Sequence, residues 1–472
     1  MAAEYQLSEN GLTYTFTLRD DLTWQDGRPI TTADIEFTIK KAQDPLVKSP
    51  RRAGWEGIKT RVLDERIIAF DLQQPYPAFL ENATLGILPK HLWEKFDAET
   101  FSLNQFNSEG VGSGPYKIKT IKKDDLGIPG YYTLVPFADF ALGEPKISQV
   151  TIRLYTNQDV LLAAYRRGEI DGFATVPAET AKSLIEDGKQ IESALLPRVF
   201  GVFFNQNHAP VLANNAVRQA LDLAINKQAI IDTVLHGYGA IAHGPIPLAL
   251  SAETATGTTQ TNLEAARAAL THNKWLWDEK DLLWKKGKES LIIALATADT
   301  PELKQAAELI KQDWEKLGIK VELKVFELGD LNQNVLRPRE YDAVFFGEIL
   351  GRSPDPYAFW YSKNRLDPGL NIALYTNVKA DALLEKIRAT TDREQLAALY
   401  KSFNKLVLAD VPASFIYSPY FLYLAPVAVQ DLTLVPINTA ADRFLNIYRW
   451  YIKTDRVWSI FANSNNQLEN NK

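Results

Sequence analysis

The sequence predicts an α/β protein of two or three domains, and three observations carry that reading. Its 472 residues exceed what one hydrophobic core usually supports. Residues 290–323 pattern as strand, amphipathic helix and strand, the unit that builds a parallel sheet covered by helices. Residues 111–135 pattern instead as strands around a glycine-rich turn, which marks an antiparallel region of different texture.

Along the chain, Tyr14-Thr15-Phe16-Thr17-Leu18 alternates apolar residues with threonine, as a half-buried strand requires. In Trp24-Gln25-Asp26-Gly27-Arg28-Pro29 the Asp-Gly pair supplies the positive dihedrals of a tight turn. Thr31-Thr32-Ala33-Asp34 then opens a helix, with a capping oxygen and an acid in the first turn. Val111-Gly112-Ser113-Gly114-Pro115-Tyr116-Lys117 is a sharp turn, and Tyr131-Tyr132-Thr133-Leu134-Val135 resumes as a strand. A mixed α/β unit begins with the strand Val150-Thr151-Ile152-Arg153-Leu154-Tyr155 and a helix over 159–167 that stops at Gly168.

Val202-Phe203-Phe204-Asn205 is a short apolar run before the capped helix Asn214-Asn215-Ala216-Val217-Arg218-Gln219-Ala220-Leu221, which continues through Ala224-Ile225. The Pro/Gly/Ala/Thr-rich passage 245–259 has linker composition, so a domain boundary is expected there. Ser290-Leu291-Ile292-Ile293-Ala294-Leu295 is a buried strand, 301–317 is an amphipathic helix stopped at Gly318, and Ile319-Lys320-Val321-Glu322-Leu323 is the next strand. Ala343-Val344-Phe345-Phe346-Gly347 leads into a loop with Pro354-Asp355-Pro356. Helices over 380–390 and 392–408 precede a strand-rich tail.

Composition removes several function classes. The net charge of −6 comes from interspersed acids and bases, which is no footprint for nucleic acid. No stretch approaches the roughly 20 apolar residues that span a bilayer. Met1-Ala2-Ala3-Glu4 lacks the basic start and apolar centre of a secretory signal. With no cysteine there is no disulfide, thiolate metal site or cysteine nucleophile, a composition compatible with folding in an oxidising space.

Catalytic templates also fail. The chain has no phosphate-cradling glycine loop with lysine, no His-Glu-x-x-His and no Gly-x-Ser-x-Gly elbow. His91, His208, His236, His243 and His272 are scattered without metal-ligand spacing. Gly112-Ser113-Gly114-Pro115 offers consecutive amides, yet it precedes a strand and not a helix, which favours a turn over an anion nest. Trp24, Trp55, Trp93, Trp275, Trp284 and Trp314 read mostly as core. No enzyme activity, cofactor or metal is expected.

Taken in order, these segments resemble the family 5 extracellular solute-binding proteins of ABC importers, which include oligopeptide-, dipeptide- and nickel-binding proteins. The resemblance rests on the Tyr14 to Arg19 strand with Trp24-Gln25-Asp26-Gly27-Arg28-Pro29, on Gly112-Ser113-Gly114-Pro115-Tyr116, and on Arg167-Gly168-Glu169-Ile170-Asp171. It continues in Phe204-Asn205, in Val217-Arg218-Gln219-Ala220-Leu221 with Ala224-Ile225-Asn226-Lys227, in Pro354-Asp355-Pro356, and in Ala382-Leu383-Leu384 followed by Thr391-Asp392. It implies a periplasmic-binding-protein type II-like clamshell, two α/β lobes with an additional mixed α/β domain. Residues 1–145 would be that domain, 146–250 with 420–472 one lobe, and 251–419 the other.

The function so implied is the capture of a small solute, first of all an oligopeptide, and its delivery to ABC permease subunits by a monomer in the periplasm or outside the cell. In peptide-binding relatives an extended ligand pairs its backbone with strands, and an acid ahead of the Asp-Pro element holds its amino terminus. Here that position is Arg352, which either grips an anionic group such as a carboxylate or phosphate or is a surface residue, while Glu348 is the nearby acid that could take the amine. The expected ligand-binding residues are therefore Asn205, Glu348, Ile349, Leu350, Gly351, Arg352, Tyr357 and Trp360.

Relatives also carry some tens of residues ahead of the first motif, with a signal or lipid anchor and an extra strand; about ten precede it here, so an open sheet edge is expected. The alternatives are an oligosaccharide or metal chelate as cargo, with Tyr357, Trp360 and Tyr361 as an aromatic platform or as packing, a hydrolase on a similar fold, and a receptor or chaperone-like module without ligand.

Overall fold

The computed structural model describes residues 1–76, 78–248, 261–351, 355–435 and 437–454. The chain opens with a four-stranded antiparallel sheet in the order Ala2–Leu7, Thr13–Leu18, Ile67–Asp71, Lys59–Val62. The helix Thr32–Gln43 lies over it, and Tyr14, Ile39, Trp55, Ile68, Phe70 and Phe79 form their common core. The helix begins where the sequence places it because Asp34 accepts the N–H of Thr31 at 2.9 Å, and its other oxygen accepts from Lys90 at 2.8 Å. Gly27 takes φ +86°, the left-handed value its turn requires. Ala2–Leu7 is a further strand, in which Ala3, Tyr5 and Leu7 alternate with Glu4 and Gln6. It is an edge strand, exposed along most of its length, held by backbone pairing and by Tyr5 against Tyr14 and Phe16 at 6.3 and 5.7 Å between ring centres.

Tyr116–Lys123, Pro129–Pro136 and Val150–Arg153 make a three-stranded antiparallel sheet. The glycine-rich turn before it is docked onto Gln25, whose amide nitrogen donates to the carbonyls of Gly114 at 3.1 Å and Tyr116 at 2.8 Å. Gly112 N–H donates back to the Gln25 side-chain oxygen at 3.2 Å. The two motifs are thus halves of one contact.

An eight-stranded mixed sheet organises the remainder, in the order Gly239–Ile241, Ala413–Leu424, Arg198–Phe204, Ala343–Ile349, Ile292–Ala298, Lys320–Phe326. Phe173–Ala174 and Ile191–Leu195 add to the far half of Ala413–Leu424. The expected parallel unit is present: Ile292–Ala298 lies in register with Lys320–Phe326, joined by the helix Pro301–Leu317, which stops at Gly318 with φ +94°. The run from Ser290 is divided at buried Leu291, with Glu289–Ser290 ending a small hairpin sheet and Ile292–Ala298 entering the large one.

Neighbouring strand residues point to opposite faces. Phe204 faces the helix side occupied by Trp314, at 6.4 Å between rings, while Phe203 faces Trp360 at 6.3 Å. Both faces are covered, which is why the strands read as near-continuous apolar runs. One core joins residues from Val199 to Ile246 with residues from Ala266 to Tyr417. The six tryptophans assigned to packing are all buried. Among the described residues no helix is long and apolar enough to cross a membrane.

Candidate functional site

The long strand Ala413–Leu424 belongs to two neighbourhoods. Its first part pairs with Arg198–Phe204, from Ala413 against Phe203 to Tyr417 against Phe200. Its second part pairs with Ile191–Leu195, from Tyr420 against Leu195 to Leu424 against Ile191. Only Leu196 and Pro197 separate those two partner strands, so a second segment makes the same crossing alongside the first. Leu196 N–H donates to Pro419 O at 3.0 Å at the crossing itself.

Different cores lie on the two sides. Phe203, Phe345, Phe415 and Trp360 share one; Leu196, Phe421, Tyr423, Ile437 and Trp450 share the other. Two adjacent strands thus run between two separately packed cores, and Gly239–Ile241 pairs with Tyr417–Pro419 at the same place.

Ala343–Ile349 ends at this crossing. Its antiparallel pairing with Arg198–Phe204 persists to Ile349 against Arg198. Its parallel pairing with Ile292–Ala298 covers only Ala343 and Val344. From Phe346 to Ile349 one backbone edge therefore has no ladder partner among the described residues, which leaves a wedge beside Ile292–Ala298.

The expected site residues divide around this wedge. Ile349 is 53% exposed, Leu350 is tied by its N–H to Pro197 O at 3.2 Å, and Gly351 turns the chain at φ +82°. Arg352 lies outside the described residues. Glu348 is on the covered face, 2% exposed, with one carboxyl oxygen accepting from Trp360 Nε1 at 3.1 Å and the other without a partner among the described residues. Burial pushes its carboxyl up to about 8, against which the Trp360 hydrogen bond is the weaker influence. At neutral pH the group is mostly protonated, a state suited to holding the indole and unsuited to neutralising an ammonium.

Trp360 is fully buried against Phe203, Phe415 and Tyr375, and so is no platform for a sugar. Tyr357 stacks on Tyr361 at 4.2 Å between ring centres, with the Arg388 guanidinium 3.8 Å above its own ring. Arg388 donates twice to Asp355, at 2.9 and 2.7 Å, and its guanidinium lies 5.6 Å from the ring centre of Tyr76 in the amino-terminal unit. Asp355 is thereby occupied, and this stack fixes the chain directly after residues 352–354.

Asn205 is not brought to the wedge. It follows Phe204, which pairs with Ala343 at the opposite end of the strand from Ile349, about 20 Å away. Its amide donates to Arg339 O at 2.8 Å and accepts from the N–H groups of Asn207 and His208, the bonds of a buried turn.

Sequence reasoning passed over the crossover residues Leu196, Pro197 and Arg198, as well as Arg388. The available signal was a proline and an arginine set immediately before an apolar run. A hollow of ≈ 430 Å³ lies elsewhere, between Gln25, Asp26, Glu109 and the lysines Lys117, Lys119 and Lys123, and none of its walls comes from the crossing strands. Among the described residues no three His, Asp or Glu side chains are grouped to hold a metal.

Comparison with known proteins identifies the family and the fold. The sequence profile of the bacterial extracellular solute-binding proteins, family 5 Middle, matches residues 1–368. The oligopeptide-binding protein AppA of Bacillus subtilis (strain 168) is 25% identical over 455 residues, covering 94% of this chain and 81% of AppA. The crystal structure of the ABC transporter substrate-binding protein CtaP from Listeria monocytogenes superposes with a TM-score of 0.81 at 24% identity, over 96% of this chain and 90% of CtaP. NikA from Brucella suis, in complex with Fe(III)-EDTA, superposes with a TM-score of 0.79 at 19% identity, over 96% of this chain and 90% of NikA. These structural likenesses establish a two-lobed, type II-like fold. With the profile matching most of its length, the chain belongs to the family 5 bacterial extracellular solute-binding proteins.

Proposed function

We propose that this chain is the substrate-binding subunit of an ABC importer, working outside the cytoplasmic membrane, and that its ligand is a peptide held between two lobes. The observation that carries the peptide reading is the unladdered edge from Phe346 to Ile349, beside the strand crossing. A backbone edge offers N–H and C=O groups at strand spacing, which an extended peptide matches whatever its side chains. The oligopeptide-binding relative AppA supports the same choice. Ile349, Leu350, Gly351 and Arg352 would border the ligand, with Glu348, Trp360 and Tyr357 as the scaffold beneath them.

The lobes are proposed to meet at residues 196–198 and 418–420 rather than near residue 250, because one continuous core joins both sides of the latter. Residues 1–145 would be the family's additional domain. Closing about the crossing would give the permease two distinguishable shapes to read, provided the ligand favours the closed one.

Native mass spectrometry of the purified protein, followed by calorimetric titration with di- to nonapeptides, tests the reading. One peptide per chain, bound without turnover, is the expected result. Absence of any peptide binding, or hydrolysis of the peptides, would overturn it.

A further inference from the structure

The arginines withdrawn wholly or in part from water are satisfied in different ways: Arg218 and Arg339 are buried, Arg198 and Arg443 half-buried. Arg218 donates to the carbonyls of Val411, Leu212, Ala213 and Asp410. Arg339 donates to those of Arg365, Leu336 and Gly369. Arg443 lies over the rings of Tyr423 and Phe444 and donates to Ala440. Arg198 has none of this. Among the described residues its one hydrogen bond, to Asn438 O, is 3.5 Å long, its buried Nε has no partner, and no carboxylate pairs with it. Partial burial lowers its ionisation.

Arg198 also stands at the crossing. It follows Leu196 and Pro197, pairs across the strands with exposed Ile349, and reaches Asn438 beside the core of the opposite lobe. Paired residues of an antiparallel ladder share a face, so Arg198 lies with Ile349 and on the other face from Glu348. The nearest acid on the neighbouring strand is therefore turned away. Asn438 adds a second unmet group there, its buried side-chain oxygen. A half-turn of that amide would present its NH₂ in the same place.

A half-buried guanidinium with a buried, unpaired Nε and no counter-charge keeps donors free on its accessible side, where an acceptor could complete it. Planar N–H pairs match a carboxylate. We propose that Arg198, with Asn438 beside it, forms a subsite at the lobe crossing for a carboxylate carried by the ligand. The inference rests on the peptide reading for its ligand class, which points to a free carboxyl group on the peptide. The subsite also spans both lobes, so filling it would favour the closed form.

The test compares tripeptides ending in a free carboxylate with the same peptides ending in an amide, by calorimetry. Wild type should bind the acid about 10- to 100-fold more tightly, the weight of one charge-assisted contact. In Arg198→Gln and Arg198→Met the ratio should fall to about one, while Arg198→Lys keeps part of it. Equal affinities in wild type, or an unchanged ratio in the neutral variants, would overturn the subsite. An unfolded Arg198→Gln would also count against it, since a side chain with no internal partner has little structure to lose.

Acetate separates this proposal from the peptide reading. At matched ionic strength, replacing chloride with acetate should raise the wild-type melting temperature more than that of Arg198→Gln. If peptides fail to bind but this difference appears, the subsite stands and the peptide reading falls. Equal responses of the two proteins to acetate refute the subsite whatever the peptides do.

Discussion

Replacing Glu348 with glutamine isolates the energetic consequence of a buried carboxyl beside the wedge. Burial holds the carboxyl at about 8, whereas the ordinary value is 4.5. Each pKa step is worth about 1.4 kcal/mol, so the difference corresponds to roughly 5 kcal/mol. Its sign follows from proton counting. Between the two values the folded chain holds a proton that the unfolded chain has released, so stability falls as pH rises through about 4.5 and levels off above about 8.

Glutamine retains an acceptor for Trp360 Nε1 and does not titrate. Chemical denaturation of both proteins from about pH 5 to about pH 8 should show the variant gaining on wild type by about 1.4 kcal/mol per pH unit, roughly 4 kcal/mol across the range. Subtracting one curve from the other cancels the groups they share. Parallel stability curves would refute the reasoning, because the carboxyl would then have to be solvated or paired in the folded chain.

Three other substitutions probe the same region. Trp360→Phe should cost about 2–4 kcal/mol in urea unfolding, since it opens space among Phe203, Phe415 and Tyr375 and removes the donor to Glu348. Gly201→Ala should cost about 1–3 kcal/mol and lower the melting temperature, because the new Cβ would sit 2.7 Å from the backbone oxygen of Ser414 in the neighbouring strand. Arg388→Ala should cost about 1–3 kcal/mol by leaving Asp355, a largely covered carboxylate, without its cation. Arg388→Lys should recover little of that stability in the same assay, as an ammonium cannot both chelate Asp355 and lie flat on Tyr357.

The elements that the sequence makes legible are those whose own residues enforce them. Thr13–Leu18 alternates, Asp34 caps its helix, and Pro301–Leu317 runs from a proline to a glycine, so local chemistry suffices to place each. The family resemblance adds the two-lobed plan, because the order of weak motifs carries information that no one motif has.

What tertiary structure alone decides is which segments become neighbours, since strand pairing depends on residues far apart in the chain. Ala2–Leu7 alternates only briefly, and its place at the sheet edge is fixed by the ladder that Thr13–Leu18 offers it. Glu348 and Asn205 read alike as polar residues beside apolar runs, yet register puts them at opposite ends of paired strands, the former burying its carboxyl under Trp360 and the latter closing a turn. Arg198 reads as an ordinary surface charge until the pairing with Ile349 places it at the crossing. Sequence determines the propensities and the family plan; desolvation and counter-charge, which set what these polar groups can do, are properties of the assembled neighbourhood.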